Sequence, residues 1–456
     1  MNSVVEVETK QLPQIEKLQV YGIRWVVLGI FVLYSAANAM QWVQLAIIND
    51  VMVSYYGVSS MWVDWTSMIY MFLYVPFVFP ASYVLEKLGV RKCVIVGMAL
   101  TCLGTWVKVA GVDRDRFYVV FIGQSIVGFS QIFILSVPSR LAALWFGPSQ
   151  VSSACSIGVF GNQLGIASGF LLPPLFVSST SSFEQQTKQF YTMFISVGIF
   201  TTVLLIVILL FFKDKPPTPP SHAALQQNET DSDFVGTLKA LMRNKSFIYL
   251  LLAYGINVGV FYAISTLLNQ IVLRYYPGAS VDAGRIGLVI IVAGMLGSIV
   301  CGVILDKFHK FKETTLVVYS FSLVGMVIYT FTISKGIVVV YIISAILGFF
   351  MTGLLPVGFE LATELTYPIP EGTPAGLLNC ACNLLGIVFT NLYSVIFNAV
   401  NDVWANLVMC FVLLIGIILV VFTSSDLRRQ AAQNSANSEY QRLLTEPGTS
   451  YVEGEH

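Results

Sequence analysis

The sequence predicts an all-α integral membrane protein, with twelve transmembrane helices arranged as two six-helix bundles. Three observations carry that expectation. The chain of 456 residues is 56% hydrophobic and only 11% charged, and a soluble protein of this length could not cover so much apolar surface with so few charges. Apolar stretches of ~20 residues, each able to cross a ~30 Å hydrocarbon core, recur along nearly the whole chain. Midway, Pro216, Pro217, Pro219 and Pro220 lead into a polar run through Asp233 that divides the stretches into six and six. Inside lipid the backbone has no water to bond, so each stretch must close its hydrogen bonds within a helix.

Taken in order, the spans fall near 25–48, 65–85, 93–110, 117–140, 150–175 and 190–212, then near 246–273, 284–305, 314–333, 337–362, 373–398 and 403–424. The chain therefore divides into an N-terminal segment (1–24), a first bundle (25–212), a linker (213–245), a second bundle (246–424) and a polar tail (425–456). Most of the 25 lysines and arginines fall on the side that holds both termini and the linker. By the excess of positive charge in cytoplasmic loops, that side is cytoplasmic. The sequons at Asn228 and Asn244 then face the cytoplasm and carry no glycan. The polar, mixed-charge N-terminus lacks signal-peptide architecture, so the first span is retained.

Composition also excludes functions. A net charge of +0 argues against nucleic acid, which needs a clustered basic surface. The seven cysteines, Cys93, Cys102, Cys155, Cys301, Cys380, Cys382 and Cys410, all fall inside spans and read as small packing residues rather than disulfide or metal sites. No cofactor is implied. No nucleophile, base and orienting group cluster in the spans, so the chain does not read as an enzyme.

Ionisable groups inside a membrane are functional candidates by default, and here they are few. His222, His309 and His456 lie in the linker, a loop and the tail. Asp64, Glu86, Lys108, Arg140, Asp306, Glu360 and Glu364 fall towards span ends, where charges that snorkel or fix topology are the ordinary reading. The interior offers aromatic and amide side chains instead. Asn38 and Trp42 are four apart on span one, Tyr70 lies early in span two, Gln131 and Asn162 lie mid-span on four and five, Tyr262 on seven and Asn383 on eleven. A cavity lined this way suits a small solute with a fixed positive charge, because aromatic faces stabilise a desolvated cation and amides take a hydroxyl. The competing reading makes the aromatics a membrane-interface belt and the amides glue between helices. Gly161, Gly165 and Gly169 are structural, letting span five pack closely.

The halves echo each other at one place. Glu86-Lys87-Leu88-Gly89-Val90-Arg91-Lys92 follows span two, and Gly302-Val303-Ile304-Leu305-Asp306-Lys307 ends span eight. This resembles the loop signature of the major facilitator superfamily and implies its fold, with a midplane site, alternating access and a conformational latch of Glu86, Arg91, Arg140 and Asp306. Longer strings, including Asn38-Ala39-Met40-Gln41-Trp42, Gln131-Ile132-Phe133-Ile134-Leu135, Trp145-Phe146-Gly147-Pro148, Gly161-Asn162-Gln163-Leu164-Gly165 and Ser265-Thr266-Leu267-Leu268-Asn269-Gln270, resemble the feline leukaemia virus subgroup C receptor-related family across both halves. That resemblance implies facilitative uniport of choline and ethanolamine across the plasma membrane, with haem export as the alternative, by a monomer embedded in the bilayer. It further implies that Trp42 and Tyr262 cage the trimethylammonium group with Tyr70 and Met71 nearby. Gln131 and the span-eleven amide hold the hydroxyl end, and Asn38 and Asn162 close or stabilise the cavity. Where that family commonly has glutamine in span eleven, this chain has Asn383, one methylene shorter. In the tail, Glu439-Tyr440-Gln441-Arg442-Leu443-Leu444 matches dileucine and tyrosine sorting patterns, which implies an additional endosomal or lysosomal pool.

Overall fold

The computed structural model describes residues 19–135, 137–147, 150–218, 234–369, 372–428, 431 and 435. The sorting pattern at 439–444 and the sequon asparagine Asn228 lie outside the described residues. Among those described, eleven helices are long and apolar enough to cross a membrane, and Phe117–Phe133 is a shorter apolar helix that begins the remaining crossing. We number the crossings one to twelve. They begin with Ile23–Val43, Ser60–Leu88, Val90–Ala110, Phe117–Ser130, Val151–Phe176 and Phe183–Phe211. The second half contributes Lys245–Tyr275, Ser280–Phe308, Phe311–Thr332, Ile337–Thr366, Gly372–Ala399 and Asp402–Phe422.

Two crossings are interrupted where the sequence predicts continuity. Span one stops at Val43, passes through a 3₁₀ turn at Ala46–Ile48 and resumes as Asn49–Tyr56. Span four stops at Ser130, turns through Gln131–Phe133 and resumes as Val137–Trp145. Neither 3₁₀ turn contains a proline or glycine, but Pro138 in the first turn of the resumed span-four helix has no N–H for Ile134 O and so disfavours continuity there. What stabilises them is the supply of hydrogen-bond partners from neighbouring spans, described below.

The linker is not wholly without structure, because Phe234–Arg243 is an amphipathic helix. Its apolar residues resume immediately after the polar run, and Leu241 is fully buried against the second bundle. Asn244 ends this helix and starts span seven. Its Oδ1 accepts from Phe247 N at 3.2 Å and its Nδ2 donates to Leu365 O at 3.0 Å, so the amide of that sequon is already committed.

Spans one and five cross closely because small residues face each other. A Cβ on Gly165 would sit 2.4 Å from the Ala36 carbonyl oxygen, and Gly161 and Gly169 meet Val32 and Met40 in the same way. The loop after span two is fastened to the end of span six. Arg91 donates through Nε to Phe212 O at 2.8 Å and through Nη2 to Leu209 O at 3.0 Å, while its backbone N donates to Asp214 Oδ1 at 2.9 Å. Gly89 adopts a positive φ of 84°, and any side chain there would run into the Asp214 carboxylate. The second half repeats the device: Lys312, opening span nine, donates to Val421 O of span twelve at 2.9 Å. In both halves a cation sits on the carbonyl end of a helix, where the macrodipole favours it.

Tyr21 on the N-terminal side bonds Thr218 of the linker at 3.1 Å, so the N-terminus and the linker share one side of the molecule. On the opposite side the two bundles are joined by a polar seam. Asn269 donates to Asp50 Oδ1 at 3.0 Å and to Ile47 O at 2.9 Å, and Ser280 donates to Asp50 Oδ2 at 2.9 Å. Gln270 donates to Asp64 Oδ1 at 2.6 Å, and Ser67 and Thr266 bond at 2.9 Å.

Candidate functional site

Below that seam, towards the linker side, the bundles meet through side chains from spans one, two, seven and eleven. Trp42 is buried, Tyr262 partly exposed, and their rings meet edge to face with centroids 5.3 Å apart and planes at 70°. They come from opposite bundles, so the aromatic corner exists only at the interface. The floor of the corner is Gly386: a Cβ there would lie 2.9 Å from Tyr262 Cδ2 and 3.0 Å from Met71 Sδ. A glycine at this point in span eleven lets Tyr262 and Met71 close on the helix backbone. Met71 belongs to a stripe along span two. Met68 accepts from Asn391 Nδ2 at 3.6 Å, and Tyr74 faces Asn379 and packs on Cys380. Residues 68, 71 and 74 thus face span eleven at successive turns.

The structure brings Trp42, Tyr262 and Met71 together. It sends Tyr70 elsewhere: the ring is fully buried against Gly128 of span four, and its hydroxyl donates to Asn38 O at 3.4 Å. Asn38 points into the first bundle, away from Tyr262. Its Nδ2 donates to Ser130 Oγ at 2.7 Å, Val127 O at 3.0 Å and Thr101 Oγ1 at 3.2 Å. Asn383 is buried one turn before Gly386 and donates to Asn379 O at 2.7 Å. Gln131 sits at the span-four break, half-buried, with Oε1 unpartnered, and Asn162 of span five has Nδ2 unpartnered. An amide in low dielectric without a partner is costly, and these two atoms offer one acceptor and one donor to a polar ligand or water. Arg91 has the helix-end partners already given. Arg140 is half-buried with Nε unpartnered. The side chains of Glu86 and Asp306 lie outside what the structure describes.

Two charges expected at membrane edges are instead buried. Lys108 is fully buried inside the first bundle, donating to Gln44 Oε1 at 3.0 Å and Gln124 Oε1 at 3.1 Å, with the Phe194 ring 5.7 Å away. Asp64 is fully buried in the seam and accepts from Asn49 at 3.2 Å as well as from Gln270. Proximity to a span end misled the reading because edge position along a helix says nothing about which face it occupies.

Sequence reasoning also missed Gln124. Its Nε2 donates to Gln41 O at 2.7 Å and Thr66 O at 2.9 Å. Gln41 O belongs to the last turn before span one breaks, where carbonyls lack helical partners. Asn38 does the reciprocal service for Val127 O, in the last turn before span four breaks. The signal available was a set of intramembrane amides, Gln41, Gln44 and Gln124, in the spans next to Lys108. Gly386 had a weaker signal, a glycine one turn beyond Asn383. Asn257 of span seven was missed too; it is fully buried with both side-chain polar atoms unpartnered.

Comparison with known proteins places this geometry in context. Residues 27–391 match the family model of the Major Facilitator Superfamily. The choline/ethanolamine transporter flvcr2b of Danio rerio is 47% identical over 424 residues, spanning 92% of this chain and 87% of that protein. The choline/ethanolamine transporter FLVCR2 of Homo sapiens is 45% identical over 434 residues, 94% of this chain and 82% of its own. The choline/ethanolamine transporter FLVCR1 of Felis catus is 47% identical over 411 residues, 89% and 73%. Among solved structures, the fucose:proton symporter FucP in the outward conformation superposes with a TM-score of 0.62 at 16% identity, covering 88% of this chain and 98% of that one. A bacterial homolog of the human lysosomal transporter Spinster, inward-facing and occupied, reaches 0.65 at 13% identity, covering 90% and 98%. At such identities these structures speak for the fold alone.

Proposed function

We propose, from the premise that this chain belongs to the major facilitator superfamily and within it to the feline leukaemia virus subgroup C receptor-related family, that it carries choline and ethanolamine across the membrane as a facilitative uniporter. The protein is a multi-pass membrane transporter and not an enzyme; the substrate and the mechanism are the proposal. One observation carries it: the Trp42–Tyr262 corner, closed by Met71 and Gly386, is built from both bundles and contains no carboxylate among the described residues. A quaternary ammonium needs none, since desolvated aromatic faces hold it by about 2 kcal/mol per contact. Gln131, whose Oε1 is unpartnered, and Asn383, one turn before Gly386, are the groups for the hydroxyl end, and Asn38 and Asn162 stabilise the cavity.

Because the corner straddles the interface, separation of the bundles takes it apart and rejoining rebuilds it, which is what alternating access about a fixed site requires. The polar seam at Asp50, Asp64, Asn269 and Gln270 then closes the extracellular side, with the linker and termini cytoplasmic and the plasma membrane as the main location. The cytoplasmic latch is proposed as Arg91 and Arg140 with Glu86 and Asp306. Haem, the alternative, gains nothing from this site, since an aromatic corner packed on a glycine offers no broad planar face.

The test is uptake of radiolabelled choline into cells lacking their own choline transporters, at clamped membrane potential and varied external pH and sodium. Uptake that follows the choline gradient and ignores protons and sodium is the expected result. Absence of uptake at confirmed surface expression overturns the substrate, and uptake that requires either ion overturns uniport.

A further inference from the structure

A cavity lined by none of the aromatic-corner residues opens at the linker-side end of the second bundle. It measures about 510 Å³ and lies between the end of the linker helix, the start of span seven and the loop after span ten. Three basic residues line it: Arg243, Lys245 and Arg428, together with Asn244 and Tyr367. Among the described residues lining it, none is acidic. Arg428 Nε is shared with Asp426 at 3.2 Å, but neither Arg243 nor Lys245 has an ion-pair partner among the described residues. Asn244 is spent on its two hydrogen bonds to Phe247 and Leu365, which hold the basic residues on either side of it at the cavity wall.

The surroundings say where a ligand would come from. The linker helix buries Leu241 against the bundle, while Val235 is 60% and Met242 54% exposed on the same short helix. Its first residue, Phe234, meets Phe79 of span two with centroids 5.5 Å apart. Phe79 shares a helix face with Phe72 and Tyr83, both exposed residues of a membrane span. The linker helix therefore lies along the bilayer edge with apolar side chains towards the acyl region and its C-terminal cations over the cavity, the arrangement of an interfacial helix.

We propose that this cavity binds the phosphorylated headgroup of an anionic phospholipid from the leaflet on the linker side, with the acyl chains against Val235 and Met242. The recognition is charge plus hydrogen bonding: Arg243 and Arg428 supply guanidinium donors to phosphate oxygens, and Lys245 supplies a point charge. A soluble phosphate shares the first half of that chemistry and lacks the second. The site rests on the linker side being cytoplasmic, where anionic lipids concentrate.

The experiment is native mass spectrometry of the detergent-solubilised full chain, titrated with a phosphatidylinositol phosphate, phosphatidylserine or phosphatidylcholine. The anionic lipids are expected to bind at least tenfold more tightly than phosphatidylcholine. Arg243→Ala, Lys245→Ala and Arg428→Ala are each expected to weaken anionic-lipid binding by about fivefold, the effect of one basic side chain at a membrane surface, and to leave phosphatidylcholine unchanged. Lys188→Ala, an exposed lysine near the start of span six on the opposite side of the molecule, is expected to change neither. Equal binding of anionic lipids by parent and triple variant overturns the site. Displacement of the lipid by an equal concentration of inorganic phosphate overturns the lipid as its occupant.

Discussion

Replacing Trp42 with alanine tests the aromatic corner directly. The Trp42 ring is buried and touches Tyr262 across the bundle interface, so a trimethylammonium group held there is desolvated against it. Loss of one such contact costs about 2 kcal/mol, which corresponds to about 30-fold in affinity. The KM for choline should rise by that factor, and Trp42→Phe should recover part of it because a smaller aromatic face remains. Ethanolamine supplies an internal control. Its primary ammonium is strongly hydrated and satisfied by hydrogen bonds, so it draws less on an aromatic face. The ratio of choline to ethanolamine uptake in Trp42→Ala should therefore fall about tenfold. Misfolding or poor trafficking would lower both substrates alike and leave the ratio where it was. The assay is competitive uptake of the two labelled substrates in the same cells, normalised to surface protein. A choline KM within threefold of the parent, or an unchanged ratio, refutes the assignment.

Three further outcomes follow from the packing. Gly386→Ala places a methyl 2.9 Å from Tyr262 and 3.0 Å from Met71; overpacking of that kind costs about 1–3 kcal/mol, so choline uptake should drop by about tenfold while the protein remains monodisperse on size exclusion. Gln124→Leu removes two hydrogen bonds to backbone carbonyls and one acceptor from Lys108, a loss of about 3 kcal/mol, and its thermal unfolding midpoint in detergent should fall by several degrees; an unshifted midpoint would mean the capping contributes nothing. Asp64→Ala strips the seam of the acceptor for Gln270 and Asn49, and a Ser67→Cys reporter should then react at least fivefold faster with a membrane-impermeant thiol reagent applied outside, given about 0.5–1.5 kcal/mol per hydrogen bond. Equal labelling rates would show that the seam does not close the extracellular side.

Hydropathy made the crossings legible but not their ends. Span two reads as 65–85 and runs as Ser60–Leu88, because the polar turns at its edges are helical and Gly89, not loss of apolarity, stops it. The linker helix escaped for the opposite reason: Phe234 to Met242 is too short for a membrane window, although its apolar spacing was available. The aromatic pair was legible only through the resemblance, since composition cannot say which of many tryptophans and tyrosines converge. Lys108 and Asp64 were misplaced because their partners come from other spans. Gln44 and Gln124 are distant in sequence from Lys108, and only packing brings three amide or amine groups to one point.

The two interruptions, of which only the one before Pro138 had a signal in the sequence, are tied together in the tertiary structure. A helix that stops inside a membrane leaves its last carbonyls without donors, and in lipid each costs several kcal/mol. Here span one's exposed carbonyl at Gln41 is taken by Gln124 of span four, and span four's at Val127 by Asn38 of span one. Each broken helix contributes a cap to the other, and Ser130 of span four adds a second donor to Val127 O at 2.6 Å. The consequence for the site is positional. Trp42 is the residue after Gln41, and Gln131 follows directly on Ser130, so the two side chains assigned to the cationic and hydroxyl ends of a choline molecule emerge from the two break points. Lys108 holds the arrangement from behind by donating to both Gln124 and Gln44. A continuous span one or span four would rotate the residues beyond its break by an amount set by helix geometry. The site proposed for the first bundle would therefore be specified by amides that need not touch the substrate.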